Sequence, residues 1–84
     1  MKLPRDVSGE ELAKALGKLG YVVTRQTGSH MRLTHRGEKG MHYLTVPRHR
    51  ELKVGTLSGI IKDVARYLSL SPEEVLHKLW GKDG

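Results

Sequence analysis

The sequence lacks several residue types, and each absence narrows the class of protein. It contains no cysteine, so disulfides and thiolate metal sites are excluded, as expected in a reducing cytoplasm. It contains no asparagine and one glutamine, a composition found in thermophilic proteins. No apolar run is long enough for a signal peptide or a membrane span. We therefore expect a cytoplasmic protein that makes no use of a membrane.

The length is sufficient for one small domain. We place this domain at residues 1–84, with a core over about 8–70 and an extra C-terminal helix over about 72–80. A domain of this size buries only about 60–65% of the surface of its unfolded chain. A working surface or a shallow groove is therefore expected, and not a deep, enclosed active site.

Positive charge is concentrated in the central third of the chain. The whole sequence has 15 Lys and Arg against 9 Asp and Glu, a net charge of +6. Residues 25–53 hold seven of the basic residues, only two acidic ones, and four of the five histidines. A localised basic surface is typical of proteins that bind polyanions, most often nucleic acid. The alternative is a solvated basic face without a partner.

Residue spacing predicts a helix followed by three strands. Ser8 and Glu11 have the form of a capping box at the start of a helix over about 9–19. Segments at about 21–25, 29–36 and 41–46 are rich in β-branched residues or alternate between apolar and polar ones. Since the connections between them are short, these strands should form an antiparallel meander.

Two further helices are predicted to complete the domain. Thr56 is the expected N-cap of the second, which has the strongest amphipathic pattern in the chain. Ser71 and Pro72 are expected to begin the third. The simplest way to bury the apolar stripes is an α+β fold of order α-β-β-β-α-α, with the helices on one face of a three-stranded antiparallel sheet.

His30 is the strongest candidate for chemistry. It follows a turn and is predicted on the uncovered polar face of the second strand, beside Arg32 and Arg36. An imidazole can exchange a proton near neutral pH, and arginines can bind a phosphate and offset charge that develops on it. These are the parts needed to cleave RNA without a metal: a base for the 2′-hydroxyl and cations for the charged phosphate. The alternative is an exposed histidine that contacts a phosphate or only water.

Other kinds of site are less well supported. His35 and His42 are expected to face each other across a hairpin, which supplies half a metal site at best, so no metal or other cofactor is predicted. Ser29 precedes His30, but neighbours on a strand point to opposite faces, so no serine triad is expected. Thr56 is expected to cap a helix and not to bind phosphate.

A set of short motifs, in order, resembles the HicA family of toxin–antitoxin systems. The set spans about residues 8–70 and consists of Leu19-Gly20-Tyr21, Gly28-Ser29-His30, Thr45-Val46-Pro47, His49, Glu51-Leu52, Gly55-Thr56-Leu57 and Ile60-Ile61. The resemblance implies a fold like that of double-stranded-RNA-binding domains. It also implies an mRNA interferase, an endoribonuclease that needs no metal, with His30 as its catalytic residue. A HicB antitoxin would bind the toxin and mask that site.

One position departs from the family pattern. Many members carry a second histidine or another polar residue after the motif histidine, where this chain has Met31. Because alternation predicts that Met31 faces the core, we expect little loss from this difference.

The sequence therefore predicts a metal-independent endoribonuclease that cleaves mRNA, with His30 as general base or general acid. The predicted RNA-binding residues are Arg25, Arg32, Arg36, Arg48, Arg50 and Lys53. Two alternatives use the same basic surface. One is a non-catalytic RNA-binding module that reads A-form shape. The other is a protein-interaction domain with an acidic partner.

Overall fold

A computed structural model describes residues 2–38 and 40–81 of the chain. Its elements are α1 (Gly9–Gly17), β1 (Val22–Gln26), β2 (His30–Gly37), β3 (Gly40–Pro47), α2 (Val54–Leu68) and α3 (Pro72–Trp80). The strands form one antiparallel sheet in the order β1-β2-β3. The predicted α+β fold is confirmed, and it is consistent with a double-stranded-RNA-binding-domain-like architecture. None of the helices in the described ranges is long and apolar enough to cross a membrane.

Capping boxes begin α1 and α3 where the sequence predicts them. The Glu11 N–H donates to Ser8 Oγ at 3.0 Å, and the Glu11 carboxylate accepts the Ser8 N–H at 3.0 Å. Ser71 and Glu74 repeat the pattern at 3.1 and 2.9 Å. Hydrogen bonds from the backbone, and then from the serine hydroxyl, lower the pKa of Glu11 and of Glu74.

The predicted N-cap of α2 is wrong. α2 begins at Val54, and its N-cap residue Lys53 makes no capping hydrogen bond through its side chain. The first helical hydrogen bond runs from the Leu57 N–H to the Lys53 carbonyl at 3.0 Å, so Thr56 lies inside the first turn. Leu57 is buried. The helix begins without a side-chain cap, at a position that no capping residue marks in the sequence.

The helices cover one face of the sheet. α1 and α2 contact the strands, and α3 packs against both of these helices. Met31 and Leu33 of β2 point to this covered face and are buried, as alternation predicts. Val75 and Leu79 of α3 have no exposed surface, so α3 completes the core. Burial of each large apolar side chain contributes about 1.5–3 kcal/mol.

The other face of the sheet, called the open face below, is largely exposed. Alternation along β2 places on it His30, Arg32, Thr34 and Arg36, and the strand register adds Val22, Arg25, Met41, Tyr43 and Thr45. Thr34 is the exception in exposure, because it is buried and its hydroxyl lies 2.8 Å from that of Thr24. A β-bulge between Val23 and Arg25 shifts the register of β1 so that Arg25 pairs with Arg32.

Candidate active site at the His30 turn

A tight turn between β1 and β2 positions His30. The Thr27 N–H donates to the His30 carbonyl at 2.9 Å, and the His30 N–H donates to Thr27 Oγ1 at 3.0 Å. Short hydroxylated side chains commonly make such bonds to nearby backbone in turns. The turn therefore holds both backbone polar groups of the first residue of β2.

The His30 side chain is exposed and its ring is oriented by its neighbour. Ser29 Oγ lies 2.9 Å from His30 Nδ1. A hydroxyl can donate or accept, so this contact holds the ring in either tautomer. Among the described residues Nε2 has no hydrogen-bond partner, which leaves it available for proton exchange with a bound molecule. The expectation that Ser29 points away from His30 is wrong, because Ser29 precedes the strand and its alternation.

His30 borders a cavity of about 200 Å³ on the open face. The cavity is lined by Arg25, Thr27, His30, Met31, Arg32 and Thr45. Arg25 and Arg32 are cross-strand partners, an arrangement in which like charges repel. No described carboxylate forms an ion pair with either guanidinium. An anion in the cavity would relieve this repulsion and accept hydrogen bonds from both arginines.

Arg48 supports the turn through hydrogen bonds from its side chain and its backbone. Its Nη1 donates to the Thr27 carbonyl at 3.2 Å, and its Nη2 lies 3.4 Å from Glu10 Oε1 of α1. Its backbone N–H donates to the Ser29 carbonyl at 2.8 Å. The side chain is 27% exposed, and its buried Nε has no partner among the described residues. Arg48 thus connects the turn to α1, a contact that its predicted role in RNA binding did not include.

The remaining predicted RNA-binding residues lie outside the cavity. Arg36 is exposed on the open face, six residues from His30 along β2. Arg50 and Lys53 are exposed in the connection between β3 and α2. The structure therefore brings together His30, Arg25 and Arg32, keeps Arg36 on the same face, and separates the other two.

The start of α1 packs closely against the end of β3. The Gly9 N–H donates to the His49 carbonyl at 2.9 Å. A Cβ at position 9 would collide with the Pro47 carbonyl oxygen, so only glycine allows this approach. Together with the Arg48–Glu10 contact, this packing joins α1 to the loop that supports the His30 turn.

Residues 9–65 match the protein family described as HicA toxin of bacterial toxin-antitoxin systems. The chain belongs to the HicA toxin family. The matched segment covers more than half of the chain and includes the whole sheet and the His30 turn. No curated protein and no solved structure is significantly similar to the chain. Family membership makes this chain a toxin of a toxin–antitoxin system and implies an antitoxin as its partner.

Some residues of the candidate site in this HicA toxin were not identified from sequence. Thr27 and Thr45 line the cavity, and Ser29 orients the imidazole. The Thr27-Gly28-Ser29 run is a turn signal that could have indicated the bond from Thr27 to the backbone. Thr45 shares the open face with Tyr43 through alternation, and its place opposite Arg32 depends on the hairpin register.

A second polar cluster lies at the opposite end of the sheet of this HicA toxin. The predicted pairing of His35 with His42 is confirmed. His42 Nδ1 lies 2.7 Å from the Tyr21 hydroxyl, and His42 Nε2 lies 3.4 Å from Asp63 Oδ2. The His42 ring stacks on Tyr67 with centroids 4.5 Å apart. Within residues 2–38 and 40–81, no three His, Asp or Glu side chains form a group that could hold a metal ion.

Burial affects the chemistry of this second cluster. Desolvation raises the pKa of the Tyr21 phenol, and the nearby Tyr67 and Asp63 add to the rise. His35 Nε2 lies 2.9 Å from the Leu19 carbonyl, while its buried Nδ1 has no partner among the described residues. Most polar atoms here face another protein atom, so the cluster is suited to linking β3, α2 and the start of β1.

Proposed function

We propose that this HicA-family toxin is an endoribonuclease that cleaves mRNA in the cytoplasm without a metal ion. The observation that carries the proposal is the free Nε2 of His30 beside a cavity lined by Arg25 and Arg32. The cavity would hold the scissile phosphate. The arginines would offset the negative charge that grows on its oxygens during attack.

The reaction follows from these groups. The ribose 2′-hydroxyl attacks the adjacent phosphorus, the bond from phosphorus to the 5′-oxygen breaks, and a 2′,3′-cyclic phosphate remains. His30 removes the proton of the 2′-hydroxyl or supplies one to the leaving 5′-oxygen. Either role uses Nε2, because Nδ1 is occupied by Ser29. Ser29 serves as a positioning residue that orients the imidazole.

RNA affinity is proposed to come from a wider basic surface. Arg36 extends the positive charge along the open face, and Arg50 and Lys53 add exposed charge in the loop after β3. Arg48 contributes mainly by holding the turn through Thr27. Because phosphate contacts release counterions, affinity should fall steeply as salt is added.

The test compares wild type with His30→Ala on a single-stranded RNA in the presence of a chelator. We expect wild type to cut and the variant to be at least about a hundredfold slower, the usual contribution of a general acid or base. His49→Ala is the matched control, since His49 is also exposed in the basic region. Intact RNA with wild type, or equal cleavage by His30→Ala, would show the catalytic proposal to be wrong. Binding without cleavage by both would favour the non-catalytic RNA-binding module.

We further propose that a HicB-like antitoxin neutralises the toxin by covering the open face. The His30 side chain is exposed and its cavity is shallow, so restraint must come from another molecule. The surface of residues 25–53 favours a partner with acidic side chains. If the antitoxin encoded beside this toxin leaves RNA cleavage unchanged when it is bound, this part of the proposal is wrong.

A further inference from the structure

The open face continues past the His30 cavity as an exposed strip with the aromatic ring of Tyr43 at its centre. The strip is formed by Arg32, Arg36, Tyr43, Met41 and Val22. Tyr43 is 52% exposed, whereas Tyr21 is buried in the core. The Tyr43 hydroxyl donates to Met41 Sδ at 3.6 Å. The guanidinium carbon of Arg32 lies 5.6 Å from the centroid of the Tyr43 ring. The ring is therefore held between two neighbours, with about half of its surface left open.

The strand register aligns this ring with the candidate active site. Tyr43 pairs with Thr34, which lies four residues from His30 along β2. That separation is about 13 Å along the strand, and Arg32 lies midway. A strand of RNA with one phosphate in the cavity and its chain running along β2 would therefore pass over Tyr43.

We propose that Tyr43 is a stacking platform for an unpaired base of the RNA substrate, near the nucleotide whose phosphate occupies the His30 cavity. The inference rests on the RNA-binding part of the proposed function. Splayed bases of single strands stack on aromatic rings and on arginine planes, and the Arg32 guanidinium lies over the Tyr43 ring as part of the same platform. A duplex hides the faces of its bases, so this platform selects single-stranded over double-stranded RNA.

In the free toxin, the combination of an exposed aromatic ring with basic side chains favours single-stranded RNA as the occupant of this strip. Exposed apolar patches often mark protein interfaces, and Val22 and Met41 add apolar surface here. However, Arg25, Arg32 and Arg36 are interspersed with these side chains, and none of the three strands contains an Asp or Glu. Aromatic and basic side chains together on a flat surface are typical of single-strand binding.

The test uses the full chain and a short 2′-O-methyl oligonucleotide of mixed sequence, which has no free 2′-hydroxyl and cannot be cut. Affinity is measured at low salt for wild type, Tyr43→Leu and Tyr43→Phe, and a thermal melt checks that each is folded. Val54→Ala is the control, because Val54 is 72% exposed on α2 and away from the open face. We expect Tyr43→Leu to bind about tenfold more weakly, and Tyr43→Phe and Val54→Ala to match wild type.

A second series locates the base. Each base of the oligonucleotide is removed in turn to leave an abasic unit. Wild type should lose about tenfold at one position, and Tyr43→Leu should be insensitive at that same position. A duplex of the same sequence should bind wild type and Tyr43→Leu equally.

The outcomes distinguish this inference from the proposed function. Equal binding of the single strand by wild type and Tyr43→Leu, or an abasic loss that persists in Tyr43→Leu, overturns the platform. If Tyr43→Leu weakens only antitoxin binding, the strip is a protein interface and the platform is overturned. If Tyr43→Leu loses single-strand affinity but wild type does not cut unmodified RNA, the platform is supported and the catalytic proposal fails.

Discussion

Two histidines on the same sheet have opposite environments. His42 lies in the second polar cluster, at the opposite end of the sheet from His30. One of its ring nitrogens faces Tyr21, the other faces Asp63, and Tyr67 stacks on the ring. His30 lies on the open face, and within the described part of the chain its ring makes one hydrogen bond, at Nδ1 with Ser29. A ring whose nitrogens are both engaged by the protein is suited to holding elements together. A ring with a free nitrogen beside two unpaired arginines is suited to a reaction.

The difference arises from packing around the two sites. Around His42, a carboxylate and two phenols supply partners for the imidazole, and the neutral tautomer that satisfies both contacts carries its proton on Nε2. Around His30, the neighbouring charges are all positive and no described acid balances them. The first site is complete within the protein, whereas the second requires an anion from outside.

The largest expected effect sharpens this contrast at His30. His30→Ala should reduce the rate of RNA cleavage by at least about a hundredfold. Its free energy of unfolding should stay within about 0.5 kcal/mol of wild type, because the exposed ring supports nothing else. Denaturant titration measures the second quantity on the same samples. A large loss of stability would mean that His30 has a structural role after all.

The converse result is expected at His42. His42→Ala should lower the free energy of unfolding by about 2 kcal/mol, because the Tyr21 hydroxyl loses its partner in a largely buried site. Below its melting temperature the variant should still cut RNA at a rate near that of wild type. Denaturant titration and a cleavage assay check both statements. Loss of cleavage in a fully folded His42→Ala protein would contradict the division between the two histidines.

Arg48 tests how far the open site depends on its supporting contacts. Arg48→Ala removes the bond to the Thr27 carbonyl and the contact with Glu10, so the turn should hold His30 less well. We expect kcat to fall about tenfold with little change in KM, since the loss of one hydrogen bond to a charged group is worth about 1.5 kcal/mol. The control Arg50→Ala should mainly raise KM and weaken its salt dependence. The same kinetic change in both variants would argue against a positioning role for Arg48.

The smallest expected effect is a pH dependence at the start of α3, far from either histidine. The backbone N–H of Ser71 lowers the pKa of Glu74, so the folded state favours the ionised carboxylate. That contribution is present above the ordinary glutamate value of 4.5 and is lost as pH falls through the lowered value. Thermal melts of wild type and Glu74→Gln between pH 7 and 3 should show wild type losing more stability. If the stabilities of the two proteins fall equally with pH, the ionised Glu74 carboxylate does not contribute to stability through the capping box.

Local features of the structure could be predicted from sequence, and long-range contacts could not. Ser8 and Ser71 cap their helices through residues three positions away, and alternation places Met31 in the core. Two other contacts join distant parts of the chain: the hydrogen bond between Tyr21 and His42, and the contact between Glu10 and Arg48. No local sequence pattern predicts such contacts. The start of α2 could not be predicted from a capping residue, because its N-cap residue Lys53 makes no capping hydrogen bond through its side chain.

The site itself was predicted only in part for the same reason. His30 and Arg32 lie two residues apart on one strand, so their common face follows from alternation. Arg25 joins them through the register of β1, and Thr45 through that of β3, which the one-dimensional pattern does not specify.

The bulge in β1 has a consequence for how such a site is encoded. Strict alternation would turn Arg25 toward the helices, and the one extra residue restores it to the side of Arg32. Deleting Thr24 would remove the extra residue, and regular alternation from Val22 would then keep Arg25 on the side of Arg32. If all five residues of β1 paired in regular alternation instead, Arg25 would face the helices, and the anion site would lose one arginine without any change in the charged residues of the chain.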